Sequence, residues 1–182
     1  MCLERTTIEK LIKSNVREVK DFPKAGISFK DITPLLLDPV VSKKILEALI
    51  EFAESLELDA IAGIDSRGFL FGPSLARALN IPFVLIRKKG KLPADTVSVE
   101  YDLEYGSACL EVHQDSIRVG SRVLIHDDLL ATGGTAIASA QLVQQLGGEI
   151  AGFAFIIDLS FLEGSRKLAK FGQTFSLAEY QD

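Results

Sequence analysis

The sequence predicts a single α/β domain with a central, mostly parallel sheet flanked by helices, and three observations carry that prediction. A strand, helix, strand pattern occurs twice, its strands are continuous apolar runs, and the residues able to do chemistry gather where those runs end. Continuous apolar strands belong to sheets covered on both faces. Ligands of such sheets bind outside the carboxyl ends of the strands. With 182 residues, 47% of them hydrophobic, the chain suffices for one sizeable core and not for two ordinary domains. One domain is therefore expected over 1–182.

The elements follow in order. "TTIEKLIKSNV" opens with Thr6 and Glu9 at capping-box spacing and puts Ile8, Leu11 and Ile12 on one helical face. "DPVVSKKILEALIEFAESL" offers Asp38 as N-cap, Pro39 at the first helical position and a broad apolar stripe through Ile45, Leu46, Leu49, Ile50, Phe52 and Ala53. "DAIAGID" (59–65) and "IPFVLIRK" (81–88) read as buried strands around a helix in the second half of "SRGFLFGPSLARALN". The pattern repeats as "RVLIHDD", "GTAIASAQLVQQLGG" and "EIAGFAFIID", and a helix near 163–170 and a strand at "TFSLAEY" complete it. Between the two units, "TVSVEY" and "ACLEVH" alternate as an antiparallel pair should. The segment 90–106, with Gly90, Pro93 and many polar residues, reads as a lid over a reacting centre.

Composition removes several classes. The apolar stretch "IAGFAFII" (150–157) falls far short of the roughly 20 residues that span a bilayer. "MCLERTTIEK" has no apolar h-region, so no secretory signal is expected, and the cytoplasm is the expected compartment. Cys2 and Cys109 have neither metal spacing nor a bridge framework. A net charge of −5 argues against a general nucleic-acid surface, so any anion site must be local.

Three strand ends carry the chemistry: "GIDSRGF", "IRKKGK" and "HDDLLATGGT". In "ATGGT" (131–135), just before a helix, Gly133 and Gly134 permit close approach and positive φ, and the helix N-terminus adds partial positive charge. A phosphate fits there, with Ala131, Thr132 and Thr135 completing the turn. There is no G-K-[ST] and no G-x-G-x-x-G, and a plain strand-to-helix turn fits the same letters. Asp127 and Asp128 narrow the reading, since two acids beside a phosphate turn repel an anion unless they meet hydroxyls or a divalent cation. A sugar phosphate supplies both.

"VLIHDDLLATGGT" resembles the phosphoribosyl-pyrophosphate signature of the type I phosphoribosyltransferase family. "DFPKAGISFKDITPLL" (21–36), "AGIDSRGFLFGPSLA" (62–76), "VLIRKKGKLP" (84–93) and "YDLEYG" (101–106) extend the likeness, toward the adenine branch of that family, over nearly the whole chain. The resemblance implies the type I phosphoribosyltransferase fold with an antiparallel two-stranded lid or hood segment. It also implies adenine and phosphoribosyl pyrophosphate as substrates, AMP and pyrophosphate as products, Mg²⁺ as cofactor and a homodimer with no nucleic-acid or membrane partner.

Residue by residue, the resemblance implies that Asp127, Asp128, Ala131, Thr132, Gly133, Gly134 and Thr135 hold ribose and 5′-phosphate. Mg²⁺ would be held mainly by substrate oxygens and water near the two aspartates. Asp65, Ser66, Arg67, Arg87, Lys88 and Lys91 would hold pyrophosphate, with a cis Asp65–Ser66 peptide. Main-chain groups around Ile27 and Ser28 would read adenine between Phe29 and Leu129, and Glu104 and Tyr105 would serve catalysis. For the charged run, Phe29 and Leu129, solvated charge and plain core packing are the alternatives.

Two positions depart from the pattern. Lys30 replaces the arginine usual in "F-R-D", which retains charge but loses the bidentate fork and leaves a phosphate contact open. His126 stands where the signature is apolar or acidic, and a structural histidine is the expected role. Rival functions are a transferase for hypoxanthine, guanine or xanthine, and a non-catalytic regulator that binds phosphoribosyl pyrophosphate. A regulator would need a nucleic-acid surface that this composition does not supply.

Overall fold

The computed structural model describes residues 2–102 and 107–182. Helix α1 (Cys2–Asn15) leads into a small antiparallel sheet of β1 (Arg17–Lys20) and β2 (Ser28–Asp31), in which Val19 pairs with Phe29. A short α2 (Thr33–Leu37) precedes α3 (Pro39–Glu54), whose start is set by Asp38. The Asp38 carboxylate accepts from the N–H groups of Val40 (2.8 Å) and Val41 (3.2 Å), and Pro39 takes the first position, where its missing N–H costs nothing.

The main sheet contains β3 (Ala60–Ile64), β4 (Phe83–Lys88), β5 (Thr96–Asp102), β6 (Ser107–His113), β7 (Arg122–Leu130), β8 (Glu149–Leu159) and β9 (Thr174–Tyr180), in the order β5-β6-β4-β3-β7-β8-β9. β4, β3, β7, β8 and β9 run parallel, and β6 and β5 close one edge antiparallel. Helices α4 (Gly72–Ala78), α5 (Gly134–Gln145) and α6 (Gly164–Leu168) complete the domain.

The sheet divides two cores, as continuous apolar strands require. On one face Val123, Ile125, Phe153 and Phe155 pack with Ala136, Ala140, Leu142 and Leu168. On the other, Leu124, Ala154 and Ile156 pack with Ile12, Val41, Ile45, Leu49 and Leu75. Burial on both faces is why the parallel strands lack alternation.

The structure differs from the sequence reading in three places. α1 already begins at Cys2, so Thr6 lies inside the helix rather than capping its start. β1 and β2 form a separate sheet that the pattern did not announce, because "REVK" and "SFKD" are short and charged, the first mostly outward-facing and the second burying a lysine. β7 does not stop at the acidic pair but continues to Leu130, with Leu129 paired to Ile157 and Leu130 to Asp158. The acids therefore sit within the strand's end, Asp127 paired with Phe155, rather than in a loop beyond it.

Candidate active site

The ends of β3, β4 and β7 open on the same edge of the sheet, since β3 lies between the other two and all three are parallel. β7 delivers Asp127 and Asp128. Asp127 Oδ1 accepts from the Asp128 N–H at 2.9 Å, which turns one carboxylate back on its own backbone. The Asp128 side chain is 1% exposed, and Arg67 Nε approaches its Oδ2 to 3.2 Å. That approach is an ion pair without hydrogen-bond alignment, and neither Asp128 carboxylate oxygen has a well-aligned donor among the described residues. Burial and the neighbouring Asp128 charge push the Asp127 carboxyl well up; burial also raises Asp128, against the pull of Arg67. Such a pair is short of hydrogen-bond donors and cation, which are what a sugar's hydroxyls and a divalent ion supply.

Beyond β7 the chain turns through Ala131, Thr132 and Gly133 into α5. Gly133 is left-handed (φ +84°) and packs against the Gly164 backbone, so a side chain there would be strained and crowded. Gly133 at the N-cap has no side chain to cap α5, and among the described residues its first-turn N–H groups are left to an anion beside the partial positive charge of the helix end. α6 supports this turn from below: Lys167 Nζ donates to Thr132 O at 3.0 Å, and a Cβ on Gly164 would collide with Ala131 O. Tyr101 of β5, which sequence reasoning passed over, brings its hydroxyl 3.4 Å from Thr135 Oγ1.

At the end of β3 the Asp65–Ser66 peptide is cis. Ser66 and Arg67 are exposed, and Gly68 brings its backbone so close to His126 O that an added Cβ would stand 2.5 Å away. Arg87 on β4 donates through Nε to Asp65 Oδ2 (3.2 Å) and through Nη1 to Lys91 O (3.2 Å), while Lys88 and Lys91 are exposed.

Arg67 also joins the small sheet to the strand ends, its guanidinium 5.6 Å from the Phe29 ring centre. Phe29 is half-buried and meets Phe22 edge-on at 5.2 Å, while Leu129 is half-buried against the α1–α3 core. Ile27 has its N–H given to Lys24 O (3.2 Å) and its carbonyl accepting from Phe22 N (3.3 Å), and Ser28 Oγ donates to Glu18 Oε1. Lys30 is turned inward: its Nζ lies 3.2 Å from Glu18 Oε1, 3.3 Å from Ser28 Oγ and 4.7 Å from the Tyr180 ring centre. Glu104 and Tyr105 lie outside the described residues.

His126 is fully buried. Its Nδ1–H donates to Ala154 O at 2.9 Å, its Nε2 has no partner among the described residues, and burial lowers its pKa to about 4. A concavity of about 530 Å³ between Asp59, Pro82 and the 115–121 turn lies at the opposite end of the sheet. It holds none of the groups described above, so chemistry rather than cavity size locates the site.

An acidic pair at a strand end, met by Arg67 and set before a helix N-terminus that its own N-cap glycine leaves open, is the arrangement of a sugar-phosphate transferase. Residues 36–174 match the family described as phosphoribosyl transferase domain. An adenine phosphoribosyltransferase of Cytophaga hutchinsonii is 50% identical over 181 residues, which cover 99% of this chain and all of that one. The crystal structure of adenine phosphoribosyltransferase from Thermoanaerobacter pseudethanolicus has a TM-score of 0.91 at 49% identity, covering 95% of this chain and 99% of that one. That of Saccharomyces cerevisiae, complexed with an imino-altritol bisphosphate and adenine, has a TM-score of 0.88 at 39% identity, covering 94% and 99%. The chain belongs to the phosphoribosyltransferase family, in its adenine phosphoribosyltransferase branch.

Proposed function

We infer that the protein transfers the phosphoribosyl group of phosphoribosyl pyrophosphate to adenine, giving AMP and pyrophosphate, with Mg²⁺ bound to the donor. The observation that carries this reading is the Asp127–Asp128 pair, its Asp128 carboxylate buried and without a well-aligned donor among the described residues, directly ahead of the α5 N-terminus. Ribose hydroxyls on the acids and a 5′-phosphate on the 131–135 turn satisfy both at once. Ser66, Arg67, Arg87, Lys88 and Lys91 face the departing pyrophosphate, and Asp65 orients Arg87. Phe29 and Leu129 supply apolar faces for adenine, whose edge meets main chain around Ile27 and Ser28, where the Ile27 carbonyl keeps a second lone pair although its N–H stays with Lys24 O.

In the reaction N9 of adenine bonds to C1′ of the donor as the C1′–O bond to pyrophosphate breaks. The electron pair leaves with pyrophosphate, and the purine gives up a proton. Glu104 is assigned that proton, with Tyr105 beside it, under the lid formed by 90–106. The arginines and lysines neutralise the leaving charge, and the acids hold the ribose while positive charge builds at C1′.

Mg²⁺ fits the residues present. Among the described residues neither Asp128 carboxylate oxygen has a well-aligned hydrogen-bond donor, and two carboxylates leave most of a hard cation's roughly six ligand positions to donor oxygens and water. When bound, the ion supplies charge neutralisation at the diphosphate. A homodimer is the proposed assembly, supported by apolar side chains left outward at Leu37 (75% exposed) and Val40 (62%). The proposed compartment is the cytoplasm.

The test is direct. Adenine, phosphoribosyl pyrophosphate and Mg²⁺ should give AMP and pyrophosphate in equal amounts, chelation should stop the reaction, and absence of AMP refutes the reading. Glu104→Gln should lower kcat by about a hundredfold while changing KM little, because it touches proton transfer rather than ground-state binding. Unchanged turnover removes Glu104 from that role.

A further inference from the structure

Glu111 stands on β6 with its carboxylate buried beneath the turn that follows β4. Its Oε1 accepts from the N–H groups of Lys91 and Leu92 at 2.8 Å each, and the Gly90 N–H contributes as well. Gly90 at φ +81° lets three successive N–H groups converge on one acceptor, the geometry of an anion nest filled here by the protein's own carboxylate. Burial alone would raise this carboxyl, but the N–H groups of Gly90, Leu92 and Lys91 outweigh it and leave it below the ordinary glutamate value. Glu111 is thus an anion at neutral pH.

The Lys91 peptide is held from its other end too. Arg87 Nη1 donates to Lys91 O at 3.2 Å while its Nε donates to Asp65 Oδ2 at 3.2 Å. Arg87 and Glu111 are direct partners in the β4–β6 register. A continuous polar chain therefore runs from Asp65 at the end of β3, through Arg87, to the Lys91 peptide and on to Glu111. Lys91 has both its N–H and its carbonyl fixed, while its side chain is left exposed.

We propose that Glu111 is a positioning residue for pyrophosphate, fixing the main chain from which Lys91 reaches the leaving group and the turn from which the lid departs. The proposal rests on the reading of Arg87 and Lys91 as pyrophosphate ligands. A buried carboxylate that served only to fill the turn would act on stability and on all substrates alike. One that positions Lys91 acts on pyrophosphate and acts through Lys91.

The experiment is reverse-direction kinetics, from AMP and pyrophosphate, on the full chain and the variants Glu111→Gln, Lys91→Ala and the double variant. Glutamine keeps one acceptor and the side chain's length, so it is the milder change for folding. Glu111→Gln should raise KM for pyrophosphate about tenfold, as loss of a charge-assisted contact and slight misplacement of a ligand would do. KM for AMP should stay within about twofold, and once Lys91 is alanine the Glu111→Gln change should add less than about twofold. Equal effects with and without Lys91, a parallel rise in KM for AMP, or no change for pyrophosphate would each overturn the proposal. If Lys91→Ala alone leaves KM for pyrophosphate unchanged, the assignment of Lys91 fails and takes this proposal with it. That outcome is distinct from one in which Lys91→Ala acts and Glu111→Gln does not.

Discussion

Asp127 and Asp128 are costly neighbours in the free protein. Both carboxyls are pushed upward, Asp127 first by burial and then by the charge of Asp128. An acid whose folded pKa lies above its unfolded one binds protons more tightly when folded, so stability is greatest below the unfolded pKa and is lost as pH rises from there through the folded one. At neutral pH the cost is present. Asp127→Asn keeps an oxygen for the Asp128 N–H and removes the charge, so it should raise the melting temperature of the ligand-free, metal-free protein by about 2–4 °C at pH 7. Donor affinity, measured by calorimetry, should fall at least about tenfold in the same variant. An unchanged affinity would count against the ribose assignment.

His126 works in the opposite sense. Its pKa, lowered from 6.5 to about 4 by burial, means that the unfolded chain binds the proton between those values. Stability is complete above about pH 6.5 and is lost as pH falls toward 4. His126→Val removes this proton uptake, so by pH 5 denaturant titration should show the variant gaining about 2 kcal/mol on the wild type relative to their difference at pH 7.5. A difference independent of pH would show that His126 is not buried and neutral.

At the scale of elements, the phosphate turn depends on what packs under it. α6 meets the turn through Gly164, where a methyl group would collide with Ala131 O, and through Lys167 on Thr132 O. Gly164→Ala should therefore push the 131–135 turn out of place and weaken donor binding by about tenfold or more with the fold retained. Unaltered donor affinity, read by the same calorimetry, would mean that the turn relaxes freely. α3 provides a contrasting case, because its Asp38 cap is remote from the chemistry. Asp38→Ala should lower the melting temperature by about 2–4 °C, the effect of about 1 kcal/mol, and leave donor affinity alone.

Across the whole molecule, the parallel sheet, the helix pairs and the antiparallel edge were legible because each rests on a long periodic or continuous apolar signal. β1 and β2 were not, since "REVK" and "SFKD" carry no apolar run and owe their pairing to each other and to the Glu18–Lys30 contact. The donor site was legible because the acids and the Thr-Gly-Gly-Thr turn are adjacent in sequence. Glu111 was hidden: in "ACLEVH" it reads as one more polar position, and only the turn from β4 folding over β6 buries it. Lys30 shows the same limit, its charge visible in the sequence but its inward partners Glu18 and Tyr180 supplied by distant segments. Arg67 likewise needed the fold to stand between Phe29 and Asp128.

The central claim is a transferase whose base site is built for adenine, and competition between purines tests it most directly. With phosphoribosyl pyrophosphate and Mg²⁺ held constant, kcat/KM for adenine should exceed that for hypoxanthine by about a hundredfold or more, because a purine edge read by hydrogen bonds rejects the 6-oxo analogue. Equal or greater turnover of hypoxanthine would contradict the account.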